Sequence, residues 1–127
     1  MRDPMEMNTG VLAYIGDAVY ELYVRKYVTD TGQIHANRLH TASVKFVKAE
    51  AQAMVCRTIA SELPEEERAL IARARNRRIG TGAKNAKPMD YKWATAFEAL
   101  LGYYYLSGRT DEMEAIISEA IRLIASK

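Results

Sequence analysis

A single cysteine, Cys56, stands in the 127 residues, which rules out an intramolecular disulfide framework and a cysteine-based zinc site. Its surroundings, "AQAMVCRTIA", read as the apolar face of a helix, where a free cysteine serves as a small buried hydrophobe. Charge-poor runs are too short for a bilayer span of ~20 residues, and nothing resembles a signal peptide. A cytoplasmic protein without a membrane segment is expected. Strand signals are nearly missing too: there is no sustained two-residue alternation, and no Asn-Gly or Asp-Gly turn joins two β-branched runs. Internal repeats and low-complexity linkers are likewise absent, so residues 1–127, at 49% hydrophobic, fit one all-α domain with one core.

Helix signals fill the chain instead. Asn8 or Thr9 can cap a first helix running through "VLAYIGDAVYELYVRKYV" to the break at Thr29-Asp30-Thr31-Gly32. Apolar residues surround this helix on most sides as far as Tyr20, which predicts a central position. A short segment around His35 to His40 precedes "SVKFVKAEAQAMVCRTIA", read as one amphipathic helix with Val44, Val47, Ala51, Met54 and Val55 inward. Pro64 fits the first turn of the next helix, Glu65, Glu66 and Glu67 suit its dipole, and Leu70, Ile71 and Ala74 form its inner face. Two more helices follow: one carries "WATAFEALLGYYYL", and the last has Thr110 as a candidate N-cap and Ile116, Ile117, Ala120, Ile121 and Ile124 inward.

Negative charge is missing from one window. Between Glu67 and Asp90 lie Arg68, Arg73, Arg75, Arg77, Arg78, Lys84 and Lys87 with no acid among them. Outside these seven, 11 basic residues face 16 acids, so a chain of net charge +2 concentrates its positive charge here. An ordinary solvated helix face mixes signs, as "ELPEEERALI" does just upstream. The window predicts a polyanion partner, nucleic acid first. Gly80, Gly82 and Pro88 make its second half an irregular loop.

Two acids stand alone in apolar company: Asp17 in "VLAYIGDAVY" and Glu98 in "WATAFEALLGYYYL". A buried, unpaired carboxylate loses several kcal/mol of solvation or takes up a proton. Helical neighbours offer no cation, and Glu21, one turn past Asp17, adds a negative charge. Either the acids cap a neighbour or face water at a helix edge, or they hold a cation. Mg²⁺ suits such oxygen ligands, since it binds one or two carboxylates and keeps its waters. Gly16 and Gly102 would let two helices approach closely and bring the acids together. Beside a basic window, the metal reading gains weight, because metal plus phosphate-binding charge is the equipment of phosphodiester hydrolysis.

The runs "YIGDAVYE" and "TAFEALLGYYYL" resemble the two acidic motifs of the ribonuclease III catalytic domain, in the form of its short bacterial branch, Mini-ribonuclease III, which has no double-stranded-RNA-binding domain. "LHTASVKFVKAEAQA" and "RARNRRIGTGAKNAK" extend the similarity from about Asn8 almost to the end. The resemblance puts Asp17 on the catalytic aspartate and Glu98 on the metal-binding glutamate. Larger members carry two further acids where this chain has Ala13 and Thr95, which implies fewer protein ligands and more water around the metal.

From that resemblance follow the remaining expectations. They are a helical bundle forming a symmetric homodimer with Tyr14 across its interface, and Mg²⁺-dependent cleavage of double-stranded RNA. The substrate implied is the precursor of large-subunit (23S) ribosomal RNA. Recognition of A-form RNA runs through shape and backbone, with Arg75, Arg77, Arg78, Lys84 and Lys87 as phosphate contacts. A ribosomal protein presenting the substrate could supplement a modest affinity. His35 and His40 are read as hydrogen-bonded structural residues, with an RNA contact for His40 left open. Tyr103, Tyr104 and Tyr105 are read as packing residues. Two competing readings stand beside the nuclease: a ribosome- or RNA-binding protein that keeps the fold without activity, and a helical protein-interaction module.

Overall fold

Asn8 begins the first long helix as its residue type predicts: the side-chain oxygen accepts from the Gly10 N–H at 2.7 Å, filling one of the orphan donors of a helix start. The computed structural model describes residues 3–77 and 87–127, and among these it holds six α-helices and no strand. They are α1 (Thr9–Thr29), α2 (Ala36–Val47), α3 (Ala49–Ile59), α4 (Glu65–Arg75), α5 (Pro88–Leu106) and α6 (Thr110–Ala125). Pro88 opens α5 where a missing N–H costs nothing. Gly32 and Gly108 take the left-handed backbone, at φ +90° and +72°, in the turns after α1 and α5.

The central helix is α5, not α1. Ala94, Ala96, Phe97, Ala99, Leu100, Leu101, Gly102, Tyr103 and Tyr104 are all buried, and α1, α3, α4 and α6 pack around it. α1 buries Leu12, Ala13, Gly16, Tyr20, Val24 and Val28 against it and leaves the opposite stripe, with Val11, Tyr14 and Leu22, in solvent. The apolar excess of α1 therefore serves two faces, of which this chain covers one.

Ser43 to Ala60 is not a single helix. At Lys48 the backbone is extended (φ −63°, ψ 150°), which ends α2 and starts α3 in a new direction. The Gln52 side chain takes the Val47 carbonyl at 2.7 Å, a group that the break leaves without a helical partner. The turn moves Val44 outward to an exposed position, while Ala51 and Val55 stay in the core and Val47 and Met54 are half-buried. Leu70, Ile71 and Ala74 lie inward as their spacing predicts, and Cys56 is fully buried. Burial pushes its thiol up to about 12, so it acts as a packing residue.

Farther from that break, Arg109 in the α5–α6 turn closes the core's edge. It pairs with the buried Glu67 of α4 at 2.9 Å, donates to the Tyr103 hydroxyl at 2.9 Å, and lies over the Tyr103 and Tyr104 rings. Tyr103 and Tyr104 are thus packing residues, whereas Tyr105 is exposed.

The tightest contact is the crossing of α1 and α5. A methyl on Gly16 would collide with the backbone carbonyl of Glu98, and one on Gly102 with the carbonyl of Leu12. Each glycine thus admits the other helix's main chain. Gly16→Ala should cost at least the ~1–3 kcal/mol of ordinary overpacking, because backbone cannot rotate away as a side chain can. This should outweigh the ~1 kcal/mol that alanine gains over glycine in a helix. Urea unfolding of Gly16→Ala and Gly102→Ala checks this; midpoints equal to the wild type would mean that the crossing is loose.

Candidate active site

Asp17 follows Gly16 on α1, and Glu98 supplies the very carbonyl that Gly16 faces on α5. The crossing therefore sets the two acids side by side, with their carboxyl groups within hydrogen-bonding reach. They are not equally buried. Glu98 is half-buried and backed by the buried Tyr20 and Gln52, whereas Asp17 is exposed, on the solvent side of α1 next to Tyr14 and Ala18. A carboxylate hidden on both sides, as the apolar context of Asp17 predicts, is thus found only at Glu98. The residues flanking Asp17 are apolar but lie on the uncovered stripe of α1.

The electrostatics of the pair are adverse. Burial, the neighbouring Asp17 charge and a shared hydrogen bond with Asp17 push the Glu98 carboxyl from 4.5 up to about 8, and Glu21 adds to the rise. Only Gln52, whose amide reaches the Glu98 carboxylate, works in the opposite sense among these neighbours. Glu21 itself is held by Arg25 at 3.1 Å. Tyr20 donates its hydroxyl to the Phe46 carbonyl at 3.0 Å and meets the Phe97 ring edge-on, which fixes the wall behind Glu98. Burial and the Glu98 charge push its phenol well above the usual range.

Such a pair fits a hard divalent cation. Its donors are all oxygen, and burial together with the neighbouring Asp17 charge disfavours the ionised Glu98, a penalty that a bound cation would offset. No group of three or more His, Cys, Asp or Glu able to hold a metal occurs among the described residues, so water would fill most of a cation's shell. The positions where a fuller carboxylate set would stand are closed to that role. Ala13 is buried, and the Thr95 hydroxyl is spent on the Tyr91 carbonyl at 2.9 Å.

The basic residues are placed as follows. Arg75 at the end of α4 stacks over Trp93, 5.0 Å from the ring centroid, and Arg57 covers the same ring at 5.7 Å while pairing with Asp90 at 3.0 Å. The Arg77 guanidinium lies over Gly10, 2.8 Å from where a β-carbon would stand, at the start of α1. Lys87 is exposed at the start of α5. Arg78 and Lys84 fall outside the described residues. His35 and His40 are exposed and make no side-chain hydrogen bond among the described residues, so the structural role expected of them is not found. His40 instead borders a groove of about 270 Å³ with Glu21, Arg25 and Ser43.

Arg57, Trp93 and Gln52 join the site's surroundings without having been singled out in the sequence. Gln52 had one visible signal, as the lone amide on the apolar face of "AEAQAMVCRTI".

Residues 10–109, spanning both acids, match the Ribonuclease III domain. The chain belongs to the ribonuclease III family, in its Mini-ribonuclease III branch. It is 45% identical over 123 residues to the Mini-ribonuclease 3 of Brevibacillus brevis, covering 97% of this chain and 92% of that protein. With the Mini-ribonuclease 3 of Enterococcus faecalis it shares 40% over 126 residues, 98% of this chain and 96% of the other. A crystal structure of a protein from Fusobacterium nucleatum, 33% identical, superposes with a TM-score of 0.87 over 96% of this chain and 98% of that one. As a ribonuclease III family member the chain is an endoribonuclease, a hydrolase acting on double-stranded RNA, in a family that uses divalent metal and forms dimers. Among the described residues no helix is long and apolar enough to cross a membrane.

The raised Glu98 carboxyl makes a pH prediction. Its folded value lies above its ordinary one, so the folded state binds this proton more tightly than the unfolded state does. That contribution is fully present below about 4.5 and is lost as pH rises from there through about 8. In EDTA, melting temperatures across this window should therefore fall more steeply for the wild type than for Glu98→Gln. Parallel curves would show that Glu98 ionises normally.

Proposed function

We propose that this endoribonuclease uses Mg²⁺, held by Asp17 and Glu98, to cut both strands of an RNA duplex as a homodimer. The observation that carries the reading is the meeting of Asp17 and Glu98 across a glycine crossing that allows no side chain between the helices. A divalent ion bound there would supply the Lewis acidity that activates water at neutral pH and positive charge against the charge that develops on the phosphate. The chain's own part is placement. Asp17 would hold the ion from the solvent side, where the scissile phosphate would approach it, Glu98 would hold it from the helix interior, and no side-chain nucleophile is needed.

Arg75, Arg77, Arg78, Lys84 and Lys87 are the proposed phosphate contacts. Stacking on Trp93 supports this role for Arg75, because it holds a guanidinium at a fixed height without neutralising it. The whole chain, residues 1–127, acts as one catalytic domain. The substrate that the family resemblance implies is the large-subunit ribosomal RNA precursor in the cytoplasm, with a ribosomal protein presenting it.

The dimer reading rests on the uncovered stripe of α1. Tyr14 is 79% exposed and Leu22 67%, and Ile15, Ala18, Val19, Leu22, Tyr105 and Met113 line a groove of about 400 Å³ beside them. A contiguous apolar surface of this kind marks an interaction site. Asp17 borders it, so a twofold contact through Tyr14 would bring two acid pairs to one duplex. Sedimentation should give a dimer at micromolar concentration and a monomer for Tyr14→Glu, with loss of cleavage. A fully active wild-type monomer would rule the arrangement out.

Cleavage of a perfect RNA duplex should need Mg²⁺ and stop in EDTA. Asp17→Asn should lower the rate by at least ~100-fold, the scale of losing one dominant electrostatic contributor. Because Asp17 is exposed, the variant should melt close to the wild type in EDTA and still bind RNA in Ca²⁺. Normal cutting by Asp17→Asn, or its failure to fold, would remove the carboxylate from the reaction.

A further inference from the structure

Among the described residues Gln52 is the one buried amide, and it lies behind the acid pair. It is 3% exposed, on the inner face of α3, and its Nε2 donates to the Val47 carbonyl at 2.7 Å. That bond fixes which end of the amide is nitrogen, since the opposite orientation would set two oxygens together. Nε2 has a second proton, and on the facing α5 Glu98 lies near enough for the Gln52 amide to favour its charged form. Oε1 on the same planar group is buried and has no hydrogen-bond partner among the described residues. Buried amide oxygens are almost always paired, and this one finds no donor among the described residues. A hydrated cation supplies donors of this kind: its waters point protons outward, away from the metal.

We propose that Gln52 is a positioning residue of the active site, an amide anchored on the α2–α3 break that holds the Glu98 carboxylate facing Asp17. The inference rests on the reading of Asp17 and Glu98 as metal ligands and extends the site to a third helix. The break at Lys48 then has a role beyond shape. It frees the Val47 carbonyl, the carbonyl grips one edge of the amide, and the amide is left with one donor for Glu98 and one acceptor for a metal-bound water. Groups that orient a metal's ligands in this way typically change metal affinity by about 10–100-fold when removed.

Gln52→Met keeps the side chain's length and bulk and removes both polar contacts. Mn²⁺ binding to the RNA-free protein, read by electron paramagnetic resonance, should weaken by ~10-fold or more. Cleavage should show a lowered kcat at limiting Mg²⁺ that recovers at high Mg²⁺, with KM for the duplex unchanged. In a Glu98→Gln background Gln52→Met should change Mn²⁺ affinity by less than it does in the wild type, because the part that acts through the Glu98 carboxylate is already gone. A lower melting temperature with unaltered Mn²⁺ affinity would overturn the proposal and leave Gln52 as a cap on Val47. If Glu98→Gln itself left Mn²⁺ binding intact, the acid-pair reading would fall, and Gln52's role with it. Should Gln52→Met not fold, the wild type decides: the Gln52 side-chain NH₂ resonances should shift on adding Mg²⁺ without RNA, and resonances that stay in place refute the assignment.

Discussion

The contact between two backbones where α1 crosses α5 governs the rest of the molecule. Gly16 and Gly102 each leave room for the other helix's main chain, Glu98 and Leu12 carbonyls included. A β-carbon at either place would push the helices apart, and with them the carboxyls one residue along α1 and four residues back on α5. Core packing serves this approach. Tyr20, Phe97, Leu12 and Leu100 fill the space on either side, and the Tyr20 hydroxyl ties the crossing to α2 through the Phe46 carbonyl.

Bringing two acids together is unfavourable on its own terms. Glu98 carries the penalty, its carboxyl driven up to about 8 by burial and by Asp17. A purely structural role at Glu98 would be served better by an apolar residue, which packs as well without loss of solvation, than by such a pair. Keeping it makes sense where a bound cation reverses the sign of the local field. The strain is confined to one spot: Arg25 offsets Glu21, Arg109 offsets Glu67, and Arg57 offsets Asp90, so the remaining charges near the core have partners.

The surface divides along similar lines. The outer stripe of α1 is apolar and uncovered, bordered by Asp17, whereas the end of α4 and the start of α5 gather Arg57, Arg75 and Lys87 around Trp93. Arg77 lies beside the start of α1. The apolar stripe borders the acid pair on α1, and the cationic cluster lies where α4 and α5 meet.

Much of this was legible in the chain. Periodicity and caps announced the helices, the missing cysteines and strand patterns excluded other fold classes, and two acids in apolar runs beside two glycines announced their own meeting. Those signals are local: each depends on residues within a turn or two of one another. Other features depend on partners far apart in sequence. Whether the apolar surround of Asp17 was core or an uncovered face turned on which stripe of α1 met α5. Burial is a property of the assembled bundle, so α5 rather than α1 could emerge as its centre only there. The break at Lys48 was invisible because Val44, Val47, Ala51 and Val55 keep helical spacing straight through it. Only the folded chain sets the Gln52 amide between the Val47 carbonyl and Glu98, because that arrangement needs α3 and α5 in contact. The sequence by itself determined the helices and named the two acids; tertiary structure decided how deeply each is buried and which neutral group stands behind them, since solvation and hydrogen bonding are settled by neighbours that no local pattern specifies.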